Sequence, residues 1–326
     1  MNDEQRSRLE EALALYPLSS PKGELIRHNE NMTFQVADGN GRYVLRIHQP
    51  VEGFSLEILR TGGDKRQAIQ SEMELLSALK IGSPIPVQSP FPCSQGGLVA
   101  TLADGTPVTL LEWIVGETLE NTELTPDLCR SIGEMTAGLH AFFAQNRAQH
   151  TSLARYRYDR TLLPPIAERI RRAEQGGYIR REAAQSILSA LEEMDIRFCA
   201  LDETQEPIIV HADLSKSNMI LCSDGRIAPI DFSLCGISHT YMDVGGLLGH
   251  VSDDADRFFI LEGYKNVHGG AVNIRFVEPY FALNVILFIA CQYERSKEWD
   301  WYSDAIERWC KDIFSPLAAN APFLLT

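Results

Sequence analysis

Apolar residues alternate with polar ones in the first third of the chain, at Met32, Phe34 and Val36 and again at Tyr43, Leu45 and Ile47. A period of two marks strands, and Asp38-Gly39-Asn40-Gly41 between the runs is turn chemistry, so the pattern predicts a β-hairpin. The period then lengthens. Ile69, Met73, Leu76 and Leu79 step by three and four, which predicts a helix from about Asp64 to Lys80, ended by Gly82-Ser83-Pro84. Leu98 to Leu102 and Val108 to Ile114, flanking Ala103-Asp104-Gly105, predict two more strands. The expectation is a small antiparallel sheet that carries one helix and stops near Val115-Gly116-Glu117.

Past Val115 the pattern is mostly helical. Thr125 caps a helix whose first residue is Pro126 and whose stripe is Ile132, Met135, Leu139 and Phe142. Further helical periodicity covers about 161–175, 181–200, 253–265, 276–294 and 298–313. One β segment interrupts it, from Ile208 to Asp231, with a Ser223-Asp224-Gly225 turn at its centre. The fold class read from this order is α+β, in two lobes at 1–114 and 115–326.

Composition narrows the partners. The 326 residues suit about two domains. Thirty basic against forty-four acidic residues leave a net charge of −14, which argues against nucleic acid or an anionic membrane and favours partners carrying positive charge. The longest apolar stretch, Phe281 to Cys291, is broken by Asn284 and is shorter than the roughly 18 residues of a membrane span, so it is expected to be a core helix. Met1 to Glu11 is charged and lacks the apolar segment of a secretory signal, so a cytoplasmic protein is expected. The seven cysteines are odd in number, scattered and never spaced C-x-x-C, which predicts buried, inert thiols instead of disulfides or a zinc site.

The candidate chemistry sits in Ile209-Val210-His211-Ala212-Asp213-Leu214-Ser215-Lys216-Ser217-Asn218, followed by the hairpin that ends at Ile230-Asp231-Phe232. A strand delivers a polar loop, and the hairpin returns a second carboxylate to it. Phosphoryl transfer needs a carboxylate to accept the proton of an attacking hydroxyl, and oxygen ligands to hold Mg²⁺ against nucleotide phosphates. Asp213, Asn218 and Asp231 supply those groups.

At these residues the chain resembles the aminoglycoside phosphotransferase and choline kinase family, small-molecule kinases of the protein-kinase-like bilobal fold. The resemblance implies Asp213 as catalytic base, Asn218 and Asp231 as Mg²⁺ ligands, and ATP as phosphoryl donor. His211 is either a buried hydrogen-bonded imidazole or a proton carrier, with the first preferred. Asn29-Glu30-Asn31-Met32-Thr33-Phe34 resembles the family's nucleotide loop in an Asn-rich version. Arg46 matches the strand lysine that grips the phosphates, with Glu72 as its helix partner and Glu74 as the less favoured choice. Arginine and lysine differ in geometry, so this match is imperfect. Leu110 to Glu117 resembles the hinge, where backbone groups of Glu112 and Ile114 would read adenine and Gly116 would let the chain turn. Ala212 stands where glycine is common, Ser233 follows Asp231-Phe232 where protein kinases have glycine, and Lys216 is read as a surface charge. Asp243 is read as a brace or N-cap.

The acceptor is expected to be a small hydroxyl compound. From Asp243 to Asp304 ten acidic and five basic residues mingle with Tyr264, Tyr280, Tyr293, Trp299, Trp301 and Tyr302, a mixture that suits an amine or quaternary ammonium. The same aromatics also fit a plain core with a solvated acidic face. A pseudokinase that binds nucleotide without transfer and a Ser/Thr protein kinase stay open as alternatives.

Overall fold

The computed structural model describes residues 1–325. Helix α1 (Asp3–Leu13) precedes strands β1 (Lys22–His28), β2 (Met32–Asp38) and β3 (Gly41–Ile47), helix α2 (Lys65–Gly82) and strands β4 (Pro90–Phe91), β5 (Ala100–Thr101) and β6 (Pro107–Glu112). These six strands form one antiparallel sheet in the order β1-β2-β3-β6-β4, with β5 also on β6. In the β2–β3 turn Asp38 Oδ1 accepts from the N–H groups of Asn40 (2.7 Å) and Gly41 (3.1 Å), the Asx chemistry that closes a two-residue connection. An Asp64–Gln67 capping box starts α2.

The sheet carries two helices where the periodicity showed one. Leu9 and Ala12 of α1 pack with Phe34, Leu45 and Leu110 on one face. On the other side, Ile69, Met73 and Leu76 of α2 join Leu111 and the core of the rest of the chain. An Asn2–Gln5 capping box starts α1, whose charged surface hides a stripe of only two buried residues.

Strand β7 (Gly116–Thr118) leaves that sheet and pairs with β10 (Met219–Cys222), which also pairs with β11 (Ile227–Pro229). Helices α3 (Pro126–Gln145) and α4 (Arg147–His150) follow, then β8 (Tyr156–Arg157), α5 (Leu163–Gln175), α6 (Arg181–Asp202) and β9 (Ile208–Val210). Beyond β11 come β12 (Gly236–Ser238), α7 (Tyr241–Gly249), α8 (Asp254–His268), α9 (Ile274–Gln292), α10 (Tyr302–Trp309) and α11 (Ser315–Ala318). Strands β8, β12 and β9 make a third small sheet. The expected helix over 298–313 is instead α10 followed by a π-helical turn, Cys310–Phe314.

Gly116 has no positive φ, so it does not serve as the flexible turn expected of it. Its role is closeness: a Cβ there would lie 2.4 Å from the Leu221 carbonyl oxygen of β10. Gly133 of α3 and Gly263 of α8 act alike, each facing the partner helix's backbone at 2.0 Å from a would-be Cβ.

Helix α9 and its continuation to Glu298 are long and apolar enough to cross a membrane by length and composition, which the broken apolar run did not suggest. Val277, Tyr280, Leu283 and Ile286 are buried in the main core, as in a core helix. All seven cysteines are free, four of them buried and Cys199, Cys222 and Cys310 only partly so.

Candidate active site

The strand β9 ends at Val210, and the chain then turns through Ala212 at φ +64°, a left-handed conformation that costs a non-glycine residue about 1–2 kcal/mol. That strain explains why a glycine is at home at this position. It is held by Asp243 in the first turn of α7, whose two carboxylate oxygens accept from the N–H groups of His211 (2.8 Å) and Ala212 (2.6 Å). His140 Nε2 lies 3.0 Å from the same carboxylate, and Tyr264 Oη 2.8 Å from His140 Nδ1. Asp243 is therefore a buried brace, while the N-cap position belongs to Thr240.

His211 is the buried, hydrogen-bonded imidazole. Its Nε2 lies 3.0 Å from the Ile230 carbonyl, and its Nδ1 accepts from the Asp213 N–H at 3.3 Å. Burial lowers its pKa and keeps the ring neutral.

Asp213, Asn218 and Asp231 converge. Asn218 Nδ2 donates to Asp213 Oδ2 (2.7 Å) and to the Asp213 carbonyl (3.0 Å), which leaves Asn218 Oδ1 buried without a hydrogen bond. Asp231, itself at φ +64°, also has one buried carboxylate oxygen, Oδ1, with no hydrogen bond. Buried polar oxygens are almost always satisfied; Asn218 Oδ1 has no partner and Asp231 Oδ1 has only the Arg46 guanidinium 3.4 Å away, and together the two fit a hard cation that both would ligate. No cluster of three or more His, Cys, Asp or Glu side chains is placed to hold a metal among the described residues. A Mg²⁺ site does not require one, because that ion takes one or two carboxylates and fills the rest with phosphates and water.

Arg46 lies on β3 facing away from Leu45, and it is buried, not a solvated charge. Its Nη1 donates to Glu72 of α2 at 2.8 Å, and its Nη2 lies 3.4 Å from Asp231 Oδ1. Glu74 points outward and accepts from Gln70 instead.

Three residues at this centre, Arg27, Arg155 and His140, lie outside the motif reading, while Glu30 belongs to the Asn29–Phe34 stretch read as the nucleotide loop. Arg27, at the end of β1, donates to Asp231 Oδ2. Glu30 lines the same cavity. Arg155 is fully buried and donates to the carbonyls of Ala68 (2.7 Å), Phe232 (3.2 Å), Ser233 (2.6 Å) and Cys235 (2.8 Å), tying α2 to the loop after Asp231. His140 supports Asp243 as described. The partners of Arg27, Arg155 and His140 lie 77 to 204 positions away, and no local spacing signals them.

Electrostatics separate the carboxylates. Burial, then the charges of Asp231 and Glu30, push the Asp213 carboxyl well above the ordinary range. Burial and the neighbouring Asp231 charge push Glu30 up to about 7. Burial acts on Asp231 too, but Arg46 and Arg27 outweigh it and hold that carboxyl far below the usual range. One carboxyl is poised to take a proton and another is kept ionised.

These groups open on a cavity of about 480 Å³. Arg27, Glu30, Asn31, Asp213 and Asp231 line it together. Phe54, Leu56 and Leu59 of the 48–64 connection close one side, and that connection is tied down by Val51 N–H to the Asn29 carbonyl (2.7 Å) and Ser55 N–H to the Cys291 carbonyl (3.0 Å). Asn284 and Phe288 of α9, with Trp301 and Trp309, make the far wall. Phe288 and Trp301 stack with centroids 6.0 Å apart.

Not every expected group reaches the cavity. Glu112 and Ile114 lie outside it, at the end of β6 and in the link to β7, where the Trp113 N–H donates to the Arg42 carbonyl at 3.0 Å. Lys216 is half-buried, with Nζ 2.8 Å from the Thr122 carbonyl, and is not a free surface charge. None of the ten acidic residues between Asp243 and Asp304 lines the cavity. Asp243 braces the loop, and Asp254, Glu262, Glu278, Glu294 and Glu298 pair with Arg257, Arg130, Arg197, Arg169 and Arg295. Tyr264, Tyr280 and Tyr293 are core, leaving Trp301 as the exposed aromatic of that set at the cavity.

Comparison with solved structures places this architecture. A microcompartment-associated aminopropanol kinase superposes with a TM-score of 0.71 at 20% identity, covering 98% of this chain and 100% of the other. A GDP complex of an aminoglycoside 2′-phosphotransferase gives 0.69 at 15%, covering 97% and 100%. A Plasmodium vivax ethanolamine kinase gives 0.58 at 14%, covering 91% and 83%. These likenesses show the kinase-like fold. No curated protein matches the chain by sequence. The sequence does match the model of the phosphotransferase enzyme family over residues 22–276, a span holding both the sheet with Arg46 and the loop with Asp213. The chain belongs to that family and is an enzyme of phosphoryl transfer.

Proposed function

We propose that the enzyme transfers the γ-phosphate of ATP, with Mg²⁺, to the hydroxyl of a small amine-bearing alcohol. The observation that carries this reading is the meeting of Asp213 with the Asn218 and Asp231 oxygens that lack a hydrogen bond, beside one cavity. In this reading residues 1–114 cradle the nucleotide, with backbone groups of Glu112 and Ile114 at adenine, and residues 115–326 carry the acceptor. Asn218 and Asp231 would hold the divalent ion, which would neutralise charge on the phosphates. Asp213 Oδ1 is left free by the Asn218 bond at Oδ2 and accepts the proton of the attacking hydroxyl. Arg46, kept in place by Glu72, faces the phosphates across Asp231.

Cavity size and lining support a small acceptor. The cavity of about 480 Å³ must hold phosphates as well as the alcohol, which favours a small acceptor. The carboxylates at the cavity are Glu30, Asp213 and Asp231, so an ammonium group would rest on the Trp301–Phe288 face. The aminopropanol and ethanolamine kinases among the structural neighbours act on acceptors of this kind, as their names state.

The test is phosphoryl transfer from ATP and Mg²⁺ to a panel of amino alcohols, aminoglycosides and Ser/Thr peptides, read as a mass gain of one phosphoryl group. Amino alcohols should be labelled, and Asp213→Asn should lower turnover by roughly 10²–10⁴ while ATP still binds. Unaltered turnover in that variant, or label on peptides alone, overturns the reading.

A further inference from the structure

We propose that Arg27 is a stand-in cation for Asp231 in the nucleotide-free enzyme, and that it passes to the nucleotide phosphates when a divalent ion takes the carboxylate. The proposal rests on the reading of Asp231 as a metal-holding residue. Arg27 lies 204 positions from Asp231 in the sequence, and its guanidinium donates to Oδ2.

The sheet aims it there. The β1–β2 register shifts between Leu25 and Arg27, where Leu25 faces Phe34 and Arg27 faces Thr33. Such a bulge re-aims a side chain. Thr33 in turn faces Arg46 on β3, so Arg27, Thr33 and Arg46 form one cross-strand row and their side chains share a face of the sheet. Both arginines of that row converge on Asp231.

The two arginines differ in freedom. Arg46 is 3% exposed and anchored on Glu72, whereas the Arg27 side chain is 41% exposed and has no other hydrogen-bonding partner among the described residues. Arg27 is also the only Lys or Arg lining the cavity among the described residues, beside the Asn29–Asn31 turn. A triphosphate entering there meets one solvent-accessible guanidinium, whose planar fork suits phosphate oxygens. A free divalent ion instead meets a carboxylate already neutralised by Arg27, so the ion should arrive with its nucleotide.

The two ligands therefore respond to loss of Arg27 with opposite sign. Arg27→Gln and Arg27→Lys are compared with the parent protein, each checked by thermal melting for a native fold. Mn²⁺ alone is titrated by the electron paramagnetic resonance of the free ion, and ADP at saturating Mn²⁺ by calorimetry. Arg27→Gln should bind Mn²⁺ about tenfold tighter and ADP at saturating Mn²⁺ about tenfold more weakly, with Arg27→Lys between. Mn²⁺ binding that is unchanged or weaker in folded Arg27→Gln, or ADP binding that is unchanged, overturns the proposal. Asp231→Asn separates the two levels. If it binds Mn²⁺ like the parent, the metal assignment falls; if it loses Mn²⁺ while Arg27→Gln alters neither ligand, only the role of Arg27 falls.

Discussion

Arg46 and Glu72, 26 residues apart, form an ion pair 2.8 Å long in which both side chains are at most 3% exposed. The strand sets one charge and the helix the other, and Arg155 stands 4.0 Å from the second Glu72 oxygen. Removing one member strands the rest in a poorly solvated place. Glu72→Gln should cost about 3–5 kcal/mol, measured by urea unfolding. A loss under 1 kcal/mol would mean that water reaches the pair.

The Asp243 brace makes stability depend on pH. Burial opposes ionisation, but the His140 contact and the backbone N–H bonds outweigh it, so the folded carboxyl sits below its ordinary range. A depressed acid stabilises the fold above its unfolded value, near 4, and that contribution disappears as pH falls through the lower folded value. Asp243→Asn should therefore cost about 2–4 kcal/mol at pH 7. The gap to the parent should narrow steadily below about pH 4. A gap independent of pH between 7 and 3 would contradict the assignment.

Gly116 tests the close approach of β7 to β10. With a methyl group aimed at the Leu221 carbonyl, Gly116→Ala should destabilise by about 1–3 kcal/mol through overpacking. Gly225, at φ +81° with open space around it, supplies the contrast: alanine there meets only backbone strain. Denaturant midpoints of the two variants distinguish steric crowding from conformational cost.

Trp301 is 49% exposed, so replacing it removes little core. If it carries the amine of the acceptor, Trp301→Ala should raise the acceptor KM by about 2- to 30-fold, the range of a cation–π contact. The KM for ATP and the melting temperature should stay near those of the parent. An acceptor KM that does not move would place the amine elsewhere in the cavity.

The loop around Asp213 was legible because its three oxygen-bearing groups lie within nineteen positions of one another, on a strand, loop and hairpin with local signals. Arg46 and Glu72 could be paired because each lies on a regular element whose period says where it faces. Arg27 and Arg155 were not legible, since a bulge re-aims one and four distant carbonyls hold the other. Helix α1 was missed because its apolar stripe is two residues wide. The acidic surplus after Asp243 misled in a different way: composition counts charges, whereas arginines from α3, α5, α6 and α8 had already claimed several of them.

Between the last residue of the large sheet, Glu112, and the β7 glycine pressed against Leu221 there are only Trp113, Ile114 and Val115. The first of these is itself pinned by its N–H to Arg42. The link between the two sheets is thus three residues long and held at both of its ends, which leaves few free backbone torsions between the strand of Arg46's sheet and the hairpin that carries Asp231.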